Sequence, residues 1–378
     1  MAINMQNLLI NNVKNILGYR TNRKIVVFSV DDYGNIRVGS TKAREQMLAR
    51  GLYGEWSSRF DHFDTLETAD DLSLLFEALS SVKDKTERSA VFTPFSNCAN
   101  IDFEEIRANR YDTYRYKPLP DVLNSSTDHQ GAWSLWKEGI SKRLFVPQFH
   151  GREHLNVKLF NQLLASKNER IRICIDNNSY TNIELSHSAT IKYNEAFSFE
   201  SFNENESLKE ILKDGLNLFE RVFGFRAKNF NAPGAPEHST LYSTLKECGI
   251  WFIDTSMIKK EHQGEGLFKT RFRFMGERNL QGQIYLLRNC VFEPTLFGPD
   301  KAVSRCLSEI EAAFRWNKPA NISSHRVNFG GLIDENNRKI GISALRKLLQ
   351  AIVGKWPDVE FFTAEELGQL INNGNGKF

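Results

Sequence analysis

Short apolar runs alternate along this chain with longer stretches whose apolar residues recur at helical spacing. The sharpest run is Lys24–Gly34, KIVVFSVDDYG. Ile25, Val26 and Val27 are consecutive β-branched residues, and the run reads as a buried strand. It ends in two adjacent acids, Asp31 and Asp32, and a Tyr-Gly turn. The same reading predicts strands over Ser89–Phe95, Leu144–Phe149, Arg226–Phe230, Ile250–Asp254, Gln283–Leu287, Ala320–Ser324 and Val359–Phe362. Between them it predicts helices over Ser40–Arg50, Thr68–Lys83, Trp133–Ile140, His154–Ser166, Ser207–Phe223, Ser239–Cys248, Lys301–Trp316, Ile342–Trp356 and Ala364–Ile371. Asn4–Leu17 fits a short amphipathic helix. Asn109–Thr127 reads as a long capping loop, Ile171–Ile175 as a strand or part of an insertion, Asn177–Asn205 as irregular, and the stretch after Asp254 as a Gly- and Lys-rich loop.

Seven or eight βα alternations without a break predict one irregular β/α barrel, with a doubly wound open sheet as the other candidate. The expected layout is a helical extension over 1–20, a barrel over 21–371 with insertions near 96–132 and 176–206, and a frayed tail over 372–378.

Composition narrows the function. The chain has 378 residues, 41% of them apolar and 25% charged, enough for a sizeable core. A net charge of +3 gives no case for nucleic acid or an anionic membrane as partner. No apolar run is long enough to span a membrane, and Met1–Gly18 lacks the pattern of a signal peptide. The five cysteines are scattered, without a CxxC. Reduced thiols in the cytoplasm are the expectation. The 28 Phe suit core packing first and sugar stacking second. Oligomeric state leaves no trace in the sequence.

Polar groups then gather at predicted strand ends: Asp31 and Asp32, His150 with His154, Asn231 with Pro233, Asp254, Asn289 and His325. A closed sheet brings them to one mouth. Paired acids often merely cap a helix. They also suit a metal site, in which one acid is a ligand and its neighbour a general base. His150-Gly-Arg-Glu-His154 puts two imidazoles on one side of a helical turn, within reach of one metal. It also spells HxxEH, the inverted zinc-peptidase pattern, with Glu153 as base. That peptidase reading leaves Asp31 and Asp32 without a task. His325 alone is an ordinary core histidine, but facing a metal it is a good general acid. Asn231-Ala-Pro233-Gly suffices as a helix-initiating turn, and Asp254 could orient another polar group.

These motifs together resemble the polysaccharide deacetylase superfamily, metal-dependent carbohydrate esterases that remove acetyl groups from chitin, peptidoglycan and related sugars. SVDDYG is similar to its first motif, HGREH to its second, NAPG to its third in place, IWFIDT to its fourth and ISSH to its last, over Lys24–His325. The DDYG turn also resembles a second deacetylase family that acts on short chitooligosaccharides. The resemblance implies an irregular (β/α)7-8 barrel of the polysaccharide deacetylase type. It implies Asp31 as general base, His325 as general acid, and Asp32, His150 and His154 as metal ligands. Tyr33, Asn231, Pro233 and Asp254 take supporting or substrate-binding places. The implied cofactor is a divalent metal, zinc first, with cobalt, manganese or nickel as alternatives. The implied reaction is hydrolysis of an N-acetyl or O-acetyl group on a carbohydrate. Without a signal-peptide pattern in Met1–Gly18, an intracellular sugar or a glycolipid or surface-polysaccharide precursor is the expected substrate rather than a cell-wall polymer. A zinc peptidase and a non-catalytic sugar-binding barrel are the other readings. One departure stands out: the arginine of the third motif, which orients the base in the family, is Asn231 here. Arg226, Arg288 and Arg326 are the candidates to replace it.

Overall fold

The computed structural model describes residues 10–52, 58–181, 183 and 191–374. Its strands are β1 (Lys24–Tyr33), β2 (Phe92–Asn97), β3 (Ala99–Ile101), β4 (Tyr116–Pro118), β5 (Gln148–Gly151), β6 (Asn229–Phe230), β7 (Phe252–Thr255), β8 (Ile258–Gly264), β9 (Leu267–Phe272), β10 (Ile284–Leu287), β11 (Cys290–Val291), β12 (Ala320–His325) and β13 (Val359–Phe362). Nine of them form one sheet in the order β10-β7-β6-β5-β2-β1-β12-β11, with β13 also on β1. Every pairing in it is parallel.

β1 is the hub because it is the longest strand of this sheet and buried almost throughout. β12 runs along one edge, from Val26↔Ala320 to Asp31↔His325. The other edge is shared, by β13 at Lys24–Val27 and β2 from Phe28 onward. The sheet curls as parallel βα units require. Its two ends belong to one chain segment. β10 pairs with β7, and after only Arg288 and Asn289 β11 pairs with β12. The predicted β/α barrel is therefore present.

Helices cover the outside. Ala69–Ser80 and Ala364–Asn373 begin with capping boxes, Thr68 with Asp71 and Thr363 with Glu366. Pro299–Arg315 and Glu335–Lys355 pack together over the β12 side. No helix among the described residues is long and apolar enough to cross a membrane. All five cysteines are unpaired.

Several expectations need correction. Ile171–Ile175 lies in a helix, Glu169–Asp176, capped by Asn168. The β-branched run reads as strand, yet Ile171, Cys174 and Ile175 share a buried helical face. Within Asn109–Thr127, β4 pairs with β3, and Leu119–Ser125 is a helix that buries Leu119, Val122 and Leu123. The stretch after Asp254 is a hairpin, β8 against β9. The strand expected over Leu144–Phe149 is interrupted: Phe145 makes an isolated parallel bridge to Phe92, and the continuous strand starts at Gln148, beyond Pro147, which has no N–H to donate. The following helix starts at Val157, capped by Asn156, so His150 lies in β5 and His154 on the bend between that strand and the helix. Asn289 turns away from the mouth, donating to Asn15 and the Pro319 carbonyl. Residues 10–13 are helical, and the rest of the Asn4–Leu17 expectation falls partly outside the described residues. In the tail, Asn372 and Asn373 extend the last helix, and 375–378 lie outside the described residues.

Candidate active site

At the C-terminal ends of the parallel strands lies a cleft of about 420 Å³. Asp31, Asp32, His150, His154, Asn231, Arg288 and His325 all line it.

The backbone explains how two adjacent acids face one cleft. Successive strand residues normally point to opposite faces. Here the β1–β2 register shifts between Val30 and Tyr33, and Asp32 has φ +75°. That left-handed conformation costs a non-glycine residue roughly 1 kcal/mol or more. It returns the Asp32 carboxylate to the side of Asp31.

Asp32, His150 and His154 are the one group of metal-ligating type among the described residues, their ligand atoms within 4.8 Å of one another. The Asp32 Oδ1 is 3.5 Å from His150 Nε2 and 3.2 Å from His154 Nε2. His150 Nδ1 lies 2.7 Å from the Asn231 carbonyl oxygen. With the proton on Nδ1 donated there, the Nε2 lone pair is free to coordinate. That Nε2 is buried and has no hydrogen-bond partner. Burial pushes the Asp32 carboxyl up, but the facing His150 and His154 imidazoles outweigh it and hold the group well below the usual range. Two imidazoles, one ionised carboxylate and an orphaned buried nitrogen fit a divalent cation.

Beside this group, Asp31 is gripped from two points. Arg288 Nη1 is 2.5 Å from Oδ2 and Nη2 is 2.9 Å from Oδ1. Arg288 in turn lies over the Phe95 ring, its Nε 3.6 Å from buried Asp254. Asp254 also accepts from Ser29, Asn229 and Asn321. Of the three candidate replacements for the missing arginine, Arg288 alone reaches Asp31. Arg226 pairs with Glu220 at the surface, and Arg326 grips Asp64 and Glu67.

The β1–β12 register sets His325 next to Asp31, with Nε2 3.9 Å from Oδ2. Its Nδ1 is 2.5 Å from Glu293, whose other oxygen accepts from Arg59 at 2.6 Å and Asn328 at 2.7 Å. Burial lowers the imidazole pKa, but the Glu293 carboxylate more than reverses this and lifts it to about 9. His325 is therefore protonated at neutral pH. Since about 9 lies above the ordinary 6.5, the resulting stabilisation is complete below about pH 6.5 and lost as pH rises through about 9. Glu293→Gln should be less stable than wild type at acidic to neutral pH, with the gap narrowing across that window. Urea melts at several pH values check this, and a pH-independent gap would contradict a charged His325.

The remaining sequence candidates sort clearly. Asn231 contributes its carbonyl to His150 and its side-chain amide to the Asp254 carbonyl. Tyr33 is in the core, its ring edge-on to Phe145 and Trp136, and does not line the cleft. Pro233 shapes the turn but is not a lining residue, whereas Ala232 and Gly234 are. Glu153 is buried against Arg152 at 2.6 Å and Tyr114 at 3.2 Å, outside the cleft. The sequence reading missed Glu293, Arg59 and Arg37. Glu293 follows the short strand β11, and that strand-end position was the available signal.

No protein-family model matches the sequence, and no curated protein matches it. Solved structures do resemble the fold. A protein from Parabacteroides distasonis, provisionally named a glycoside hydrolase/deacetylase, superposes with TM-score 0.52 at 9% identity, over 95% of this chain and 73% of that one. A provisionally named polysaccharide deacetylase from Pseudomonas aeruginosa PAO1 gives 0.47 at 10%, over 94% and 93%. The 4-alpha-glucanotransferase of Thermococcus litoralis gives 0.47 at 10%, and this chain spans 41% of its length. At such identities the likeness is one of fold. The chain has a β/α barrel fold like that of the Parabacteroides distasonis protein.

Proposed function

We propose that this protein is a metal-dependent hydrolase that removes an N-acetyl or O-acetyl group from a carbohydrate, in a compartment that keeps its thiols reduced. The observation that supports this most is the adjacency of three units in one cleft: the Asp32–His150–His154 group, the Asp31–Arg288 pair and the His325–Glu293 pair.

Asp32, His150 and His154 would hold the cation, with zinc the best fit to this donor set and cobalt, manganese or nickel compatible. When bound, it would supply Lewis acidity toward the acyl carbonyl and raise the acidity of a nearby water. Asp31 would take the proton of the attacking water. Arg288 keeps that carboxylate aimed into the cleft, the task of the arginine missing at position 231. His325, charged at neutral pH, would donate from Nε2 to the departing amine or alkoxide as the carbon–heteroatom bond breaks. Glu293 holds the ring through Nδ1, so the proton on Nε2 faces the cleft.

The peptidase reading would need Glu153 beside the histidine pair. Its carboxylate is committed to Arg152 and Tyr114 instead. Acetate release from acetylated sugars, lost with a chelator and restored by added zinc, is the expected behaviour. A protein that binds such sugars and never releases acetate would favour the non-catalytic reading.

A further inference from the structure

The cleft contains a second buried arginine whose position the hydrolytic machinery does not explain. Arg37 is 4% exposed and lines the same cleft. Buried guanidinium groups normally have a close, fork-like carboxylate partner. Arg288 and Arg326 have theirs, at 2.5–2.9 Å and 3.0–3.1 Å. Arg37 does not. Its two acidic neighbours stand off, Asp61 at 3.7 Å and Asp64 at 3.9 Å. Both are committed elsewhere: Asp61 accepts from Ser58 and Thr181, and Asp64 holds Arg326 with both oxygens. The Arg37 Nε has no hydrogen-bond partner.

The guanidinium is nevertheless held firmly, against the rings of Tyr180 at 5.0 Å and Phe60 at 5.7 Å. Nearby, the side-chain amide nitrogen of Asn35, 5% exposed and also lining the cleft, is a second buried donor without a partner. Two unused donors, one cationic, call for a ligand that brings acceptors and negative charge.

We infer that Arg37 and Asn35 form a subsite for a carboxylate on the substrate, so that the sugar processed here is an acidic one. The inference builds on the reading of the cleft as a carbohydrate hydrolase and adds the class of sugar. A planar carboxylate matches the guanidinium fork. A phosphate could use the same donors, but Asp61 and Asp64 penalise a dianion more than a monoanion.

The test is binding to the full-length protein as purified, using D-glucuronate, its methyl ester, glucose and glucose 6-phosphate. Wild type should bind glucuronate at least about tenfold tighter than the ester or glucose, the scale of a charged hydrogen-bonded pair. Arg37→Gln should remove that advantage, and Asn35→Ala should reduce it. Equal binding of acid and ester by wild type overturns the inference. So does an advantage that persists in Arg37→Gln, which would place the carboxylate on the cation, or tighter binding of glucose 6-phosphate. If Arg37→Gln fails to fold, the ester comparison and Asn35→Ala still decide. None of these readouts involves acetate release, so failure of the hydrolase reading would be seen separately.

Discussion

Asp32→Ala and His154→Ala are each expected to lower zinc affinity by more than about 100-fold. Losing an outer partner of a metal ligand costs about 10–100-fold, and here a ligand itself is removed. Both side chains are buried or nearly so, and each faces the other across the same few ångströms. Glu153 cannot refill either gap, since Arg152 holds it outside the cleft. Acetate release should fall to background in both variants. Zinc competition with a chromophoric chelator measures the affinity directly. Unchanged affinity in either variant would move the metal, if any, to another set of residues.

Asp31→Asn should leave zinc affinity within a few-fold of wild type and lower turnover by about 10²–10⁴, the usual contribution of a general base. The amide retains one acceptor for Arg288, so the fold around it should survive. What it loses is the capacity to accept a proton. The split between intact binding and lost turnover distinguishes a base from a ligand. A variant that lost its metal would put Asp31 in the first role and leave the base unassigned.

Much of this arrangement was legible before any coordinates. An apolar β-branched run ending in two acids has few fates other than a buried strand opening at a sheet rim. The strand-end positions of His150 and His325 followed from the same pattern, and the parallel register then puts His325 opposite Asp31. The failures have local causes. Strand periodicity puts adjacent residues on opposite faces, and only the positive φ of Asp32 brings both acids together. Choosing Arg288 over Arg226 and Arg326 required the closure of the sheet, since Arg288 sits where β10 gives way to β11. Arg37 gives no signal in the sequence, because the groups that surround it, Asp61, Asp64 and Tyr180, come from other parts of the chain. Tyr33 was placed near the chemistry by its neighbours in sequence. Its aromatic ring is better buried against Trp136 and Phe145 than left in a polar cleft.

Anomalous diffraction at the zinc edge, from crystals of zinc-loaded protein, tests the central claim most directly. The expected result is one strong peak about 2.0–2.2 Å from an Asp32 oxygen and a nitrogen of each of His150 and His154. A peak at any other residues, or none at full zinc loading, would contradict it.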